Sequence, residues 1–235
     1  MKNLSVALVE PFYEINVGYV ARIMKNFGIK QLILINPRFE LEKARRFASH
    51  GVDVLEHATE SDLDTVRKNF NLLIGTSAIT GTRTSNLLRN TLSVRELPKH
   101  LHQFSRKTCL LLGRDTTGLT NSEMEICDIL TRIGTGTNYW TLNISHALAI
   151  ILYEISDVQS SEPRRMATSK QKEFMVDYTR QLAELAGLQP YKNILAQRVI
   201  RQLAGRGLTT HREASILIGL LRRGVNALRN QVRYA

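Results

Sequence analysis

In GTGTNYWTLNISHALAIILYE, residues 134 to 154, a polar stretch containing two glycines runs directly into an apolar helix whose first turns carry Asn143, Ser145 and His146. Amide, hydroxyl and imidazole groups at the mouth of a helix made for burial are placed to hold a ligand or handle a proton. Three further stretches share this position just after an apolar run: EPFYEINVGYVARIMKN from Glu10, GTSAITGTR from Gly75 and GRDTTGLT from Gly113. Ligands on open parallel sheets bind outside the carboxyl ends of the strands, so the four stretches can converge on one site. Gly113 and Gly118 indicate either close backbone approach to a ligand or a tight strand-to-helix turn. A nucleotide-like cofactor suits such a site. NAD and ATP are disfavoured, because no G-x-G-x-x-G follows a strand and GRDTTG lacks the G-K-[ST] ending of a phosphate loop. No metal cluster is visible either, since Cys109 and Cys127 have no partner ligands at zinc spacing and read as reduced core residues.

The elements that must position these groups are legible as periodicity. SVALVE (5–10), QLILIN (31–36), NLLIGTSA (71–78), TCLLLG (108–113) and ILTRIG (129–134) read as strands buried on both faces, with helical stretches between them. Alternating strand and helix predicts an α/β domain with a parallel sheet, over residues 1–157. A polar, aperiodic linker is expected at 158–169, followed at 170–235 by a small all-helical module with segments near 170–187, 190–205 and 210–230. Of the 32 Lys and Arg, residues 161–235 hold 14 against 5 of the 21 Asp and Glu, so this tail carries most of the net +11. Such asymmetry points to a polyanion, nucleic acid first among them. No apolar run is long enough for a membrane span and no signal-peptide core is apparent, so the expected location is cytoplasmic.

Taken in order, E10-P-x-x-x-x-N16-x-G18-x-x-x-R22-x-x-K25-N26, GTSA at 75–78, LLLGRDTTGLTNSEMEICD and LNISHALAIILYE resemble the motifs of the SPOUT RNA 2'-O-ribose methyltransferases. A basic extension after that domain is similar to the TrmJ group of tRNA methyltransferases, its archaeal members in particular. The resemblance implies a SPOUT (alpha/beta-knot) domain with a C-terminal trefoil knot, S-adenosyl-L-methionine as cofactor, a homodimer with an RNA site built from both protomers, and tRNA as partner with no membrane and no metal. It implies 2'-O-methylation of a ribose, at cytidine 32 of the anticodon loop; methylation of ribosomal RNA, or RNA binding without catalysis on the same scaffold, are the alternatives.

The catalytic residues so implied are Arg22, Asn16, Asp115 and Asn143. Arg22 is protonated at ordinary pH, so an electrostatic clamp suits it better than a general base. Asp115 stands where relatives usually have Glu, which shortens its reach. Cofactor contacts fall on Thr76, Ser77, Ala78, Gly113, Ile133, Thr141, Leu142 and Asn143. His146 reads as a helix or interface histidine. RNA contacts are expected from Lys25, Arg83 and Arg114 near the site and from Arg164, Arg165, Arg198, Arg201, Arg206, Arg212, Arg222 and Arg223 in the tail, with packing between helices the other use of such arginines.

Overall fold

The computed structural model describes residues 3–78, 91–101, 107–156, 165–206 and 209–234. Seven strands, β1 (Leu4–Val9), β2 (Leu32–Ile35), β3 (Thr59–Ser61), β4 (Leu72–Thr76), β5 (Leu92–Ser93), β6 (Thr108–Leu112) and β7 (Ile129–Arg132), form one sheet in the order β3-β2-β1-β6-β4-β7-β5. Every pairing is parallel, and Thr108 lies level with both Leu4 of β1 and Leu72 of β4. Every residue of β1, β2 and β6 is buried, which requires cover on both faces.

Alternate residues of each strand serve opposite cores. Val6, Leu8, Leu110 and Leu112 face a core closed by α1 (Glu14–Asn26), α2 (Leu41–Ala48), α3 (Val52–Glu56), α5 (Leu97–His100) and α7 (Ile144–Ser156). Ala7, Val9, Cys109 and Leu111 face a second core with α4 (Leu63–Asn69) and α6 (Asn121–Glu125). Each fully buried Leu or Val contributes about 1.5–3 kcal/mol. Burial pushes the Cys109 thiol up, and that of Cys127 up to about 12, so both stay neutral packing groups as expected. The two edge strands, not foreseen in the sequence, are short and largely polar or half-covered, which blunts pairing with another sheet.

Three long helices follow: α8 (Ser169–Leu185), α9 (Pro190–Arg206) and α10 (His211–Tyr234). They share a small core of Ala167, Met175, Ala204 and Ala214. The Ala167 N–H donates to the Thr209 carbonyl at 2.9 Å and Met166 bridges to Thr210, so the helical unit already begins at Arg165, inside the expected linker. Residues 158–164 of that linker lie outside the described residues. Capping boxes start α6 at Thr120 and Glu123 and α8 at Thr168 and Gln171, while Glu213 accepts from the Thr210 N–H before α10.

The helical unit is seated on one buried carboxylate. Asp128, fully buried just before β7, meets Lys172 of α8 at 2.9 Å and Arg67 of α4 at 3.0 Å, and accepts from the Leu73 N–H at 2.8 Å. Lys172 also donates to the Asn71 carbonyl, and Ser169 to that of Phe70. Glu173 extends the cluster to Arg67 and to Arg201 of α9. Gly205 of α9 lets the backbone close on the same point, since a Cβ there would sit 2.7 Å from the Asp128 carbonyl. Burial pushes the Asp128 carboxyl up, but Lys172 and Arg67 outweigh it and hold it below the usual carboxylate range. On the sheet side the anchors Arg67, Phe70, Asn71 and Asp128 precede β4 or β7, at the amino ends of the strands.

Candidate active site

At the opposite, carboxyl ends of β4, β6 and β7 lies a cavity of about 510 Å³, within the span of small-molecule and cofactor sites. Its walls are the places where these strands stop. After β6 the chain reverses between Gly113 and Gly118, with the Arg114 N–H donating to the Gly118 carbonyl (3.2 Å) and the Gly118 N–H to that of Arg114 (3.0 Å). A Cβ at Gly113 would lie 2.2 Å from Gly118 C, and Gly118 has φ +68°, so both positions require glycine. This turn sets Asp115, Thr116 and Thr117 on the cavity wall. After β4 the Ser77 N–H donates to the Thr131 carbonyl of β7 at 3.0 Å, drawing Ser77 and Ala78 to the rim. Leu112, Leu119, Met124, Ile144 and Ile151 make the apolar floor. All eight residues expected to hold the cofactor, Thr76, Ser77, Ala78, Gly113, Ile133, Thr141, Leu142 and Asn143, line this cavity.

Of the four residues implied in catalysis, three form a continuous chain. Asp115 Oδ1 accepts from Asn16 Nδ2 (2.5 Å), while its Oδ2 accepts from the Phe12 and Tyr13 N–H groups (3.3 Å each). Asn16 Oδ1 accepts from Asn143 Nδ2 (2.8 Å). Asn143 Oδ1 in turn accepts from the Ser145 N–H (2.9 Å) and Oγ (2.7 Å), capping α7. The direction is dictated from both ends, because an ionised carboxylate only accepts and a backbone N–H only donates. Ser145 is buried and belongs to this network, whereas His146 is exposed on the outer face of α7.

Arg22 is elsewhere. It is exposed on α1 in a stripe with Ile15 and Tyr19 and does not line the cavity of its own chain. It makes no ion pair with any described residue.

Arg114 also differs from expectation. It is bound to Glu123 through both terminal nitrogens (2.9 Å each) and to Glu10 (2.7 Å), and Glu10 also meets Arg38 (2.8 Å). Hydrogen bonds to Glu123 and then Glu10 raise the Arg114 pKa further, so its charge serves the site's framework rather than an incoming phosphate. Glu10 adopts φ +44°, a strained geometry for a non-glycine residue, directly after β1.

Two tail arginines take the other use left open for them, packing against protein groups: Arg198 is buried and donates to the Met124 carbonyl (3.0 Å), and Arg201 pairs with Glu173 (2.7 Å). Lys25 pairs with Asp53, while Arg165, Arg212, Arg222 and Arg223 are exposed. Arg83, Arg164 and the side chain of Arg206 lie outside the described residues. What the sequence reading missed is aromatic: Tyr139 and Trp140 line the cavity mouth, and Phe12 and Tyr13, paired edge to face at 5.1 Å, hang from Asp115. Four aromatics within two of the loop stretches were the available signal. Among the described residues no His, Cys, Asp and Glu group is arranged to hold a metal, and no helix is long and apolar enough to cross a membrane.

The sequence is 26% identical to a tRNA (cytidine-2'-O-)-methyltransferase TrmJ of Sulfolobus acidocaldarius, covering 94% of this chain and 93% of that one. It is 32% identical to a tRNA (cytidine/uridine-2'-O-)-methyltransferase TrmJ of Photorhabdus laumondii, over 76% of this chain and 73% of that one. In fold it is similar to the crystal structure of TrmJ from Z. mobilis, with a TM-score of 0.71 at 21% identity, covering 93% of this chain and 97% of that one. The sequence model of the SpoU rRNA Methylase family matches residues 3–153, which are the sheet, the cavity and the Asp115–Asn16–Asn143 network just described. With its glycine turn, its rim residues and the cap of α7 all inside the matched region, this chain belongs to the SpoU rRNA methylase family.

Proposed function

We propose that this protein transfers a methyl group from S-adenosylmethionine to the 2'-hydroxyl of a ribose in tRNA, at cytidine 32 of the anticodon loop. One observation carries the reading: the Asp115–Asn16–Asn143 chain stands on the rim of a cofactor-sized cavity, in a sequence that matches a TrmJ tRNA methyltransferase over 94% of its length. The position and the base rest on the resemblance alone.

The cavity suits the cofactor chemically. An apolar floor accepts a purine face, and the hydroxyls of Thr76, Ser77, Thr131 and Thr141 supply polar groups for ribose and amino-acid atoms. When bound, S-adenosylmethionine supplies a methyl group already activated on a sulfonium. The protein then has to place the nucleophile. Asn16, held between Asp115 and Asn143, fixes the rim against which the target ribose lies. Arg22 is assigned to clamp the adjoining phosphate and stabilise negative charge growing on the 2'-oxygen.

Because Arg22 shares an exposed stripe with Ile15 and Tyr19, and α1 packs beside α7 with its exposed Ile150 and Tyr153, the reading includes a homodimer through these faces. Arg22 then serves the site of the second copy. A trefoil knot in the C-terminal part of the sheet domain, a division into a catalytic domain to 157, a linker at 158–169 and an RNA-binding extension at 170–235, and a cytoplasmic location complete it.

The test is transfer of labelled methyl from S-adenosylmethionine to unmodified tRNA and ribosomal RNA transcripts, with the 2'-O-methyl group mapped. Label at nucleotide 32 of tRNA is expected. Label only on ribosomal RNA would overturn the substrate, and no transfer at all would overturn catalysis.

A further inference from the structure

We propose that Trp140, with Tyr139 beside it, is the stacking platform for the base of the nucleotide whose ribose is methylated; the inference rests on the ribose methyltransferase reading. Trp140 is the chain's single tryptophan, and it lines the cavity while remaining 45% exposed; Tyr139 also lines it and is 80% exposed. Neither ring is needed to close a core, since neither belongs to the hydrophobic clusters of the described residues. Two large apolar faces held at the rim of a polar loop leave surface that a flat partner would cover.

The loop backbone is preset for this display. Thr137 Oγ1 donates to the Tyr139 carbonyl (3.0 Å) and accepts from the Tyr139 N–H (3.2 Å), and Thr135 Oγ1 reaches the same carbonyl (3.5 Å). Hydroxyls thus hold the loop from its polar side, leaving the rings of residues 139 and 140 without structural duty. The loop continues through Thr141 and Leu142 into Asn143, so the platform is three residues from the network that orients the ribose.

Methyl transfer needs the 2'-oxygen within about 3–3.5 Å of the methyl carbon and in line with the bond that breaks. A stacked base adds an anchor beyond the phosphate and ribose contacts, so the nucleotide that carries the 2'-oxygen is restrained at a further point. The floor of the cavity, made by Leu112, Leu119 and Ile151, already provides the enclosed apolar face for the cofactor's own purine, so the half-exposed Trp140 is left for the incoming nucleotide. Every base has a π face, so this contact immobilises cytidine and uridine alike, and discrimination between them must come from hydrogen bonds to base edges.

The test compares full-length wild type, Trp140→Ala and Trp140→Phe for methyl transfer to tRNA transcripts with cytidine or uridine at the target position. Trp140→Ala is expected to raise KM for tRNA by about tenfold to a hundredfold on both transcripts, with Trp140→Phe recovering most of the loss. Calorimetric affinity for S-adenosylhomocysteine should stay within about twofold, and fluorescence of the single tryptophan should be quenched by tRNA but not by S-adenosylhomocysteine alone. An unchanged KM in Trp140→Ala would overturn the platform, as would lost S-adenosylhomocysteine affinity, which would place the ring on the cofactor, or a changed oligomeric state, which would place it in an interface. A wild-type chain that methylates no RNA would overturn the function proposed above, and the platform with it.

Discussion

Asn16 holds Asp115 and Asn143 together with a single amide, donating to the first at 2.5 Å and accepting from the second at 2.8 Å. Three stretches far apart in the chain, the start of α1, the glycine turn after β6 and the cap of α7, therefore share one hydrogen-bonded rim. The shorter carboxylate at 115 still closes that rim, because α1 begins close enough for Asn16 and two backbone N–H groups to meet it.

Replacing Asn16 by Asp puts two carboxylates against each other and should abolish turnover, with a large loss of thermal stability. Adding Asp115→Asn reverses donor and acceptor at that contact while leaving Asn143 a partner, so the double variant should regain most of the stability. Thermal melts of the two single variants and the double variant check this; strictly additive losses would show that the pair is not coupled.

Arg22→Ala is expected to reduce methyl transfer by at least about a hundredfold, the scale of one lost transition-state contact, while S-adenosylhomocysteine affinity stays near the wild-type value. Mixing Arg22→Ala protomers with protomers carrying Asn16→Asp should restore part of the activity if Arg22 acts across a dimer. Single-turnover assays on the mixture read this directly.

Ser145→Ala removes one of two bonds to Asn143 Oδ1 but leaves the capping N–H. The expected cost is about 1 kcal/mol of stability with modest loss of rate, and Asn143→Ala, which removes cap and rim together, should cost more on both counts. Urea denaturation and kcat for the two variants separate capping from catalysis.

Asp128→Asn leaves Lys172 buried without its counter-charge and Arg67 with Glu173 alone, and should destabilise the fold by about 3–5 kcal/mol. In the wild type the carboxyl is held below its ordinary value, so its contribution is complete above about pH 4 and is lost as pH falls through that value towards the folded-state pKa. Glu173, lowered despite its burial by hydrogen bonding to and the charge of Arg201, acts in the same direction. Acid titration followed by helical circular dichroism should show wild type losing stability below about pH 4, and Asp128→Asn with a weaker dependence.

Neutralising Arg165, Arg212, Arg222 and Arg223, four exposed arginines of the tail, should weaken tRNA binding and lower the slope of log affinity against log salt by up to about 0.7–0.9 per phosphate contact removed. Neutralising Arg198 or Arg201 should instead lower stability, because both are engaged with protein groups.

The buried strands and the three tail helices were legible because their periodicity is strong, and the loops that line the cavity because small and polar residues occur where apolar runs stop. The edge strands were not, since TES and a two-residue pairing carry no alternation to read. Nor does an arginine's letter tell whether it faces solvent: Arg198 and Arg212 look alike in sequence, and only the approach of α9 to α6 turns the first inward. Asp128 escaped notice for a similar reason. A lone carboxylate among apolar residues acquires its meaning from Lys172 and Arg67, which lie 44 residues after it and 61 before it. His146 and Ser145 were inseparable by spacing, and the capping of α7 by Asn143 decides between them.

The seat of α8 on Asp128 also changes what a truncation would mean. A shortened chain ending at Ser156 would retain the family motifs but lose Lys172, and with it half of the positive charge that neutralises a carboxylate sealed in the sheet. Sheet and tail thus form a single cooperative unit, in which the loss of either part is felt by the other, and calorimetry should record one transition for the full chain. The part proposed to meet RNA is thereby also a condition for the half proposed to catalyse to persist, so fragments prepared to separate binding from catalysis are expected first to reveal their mutual dependence.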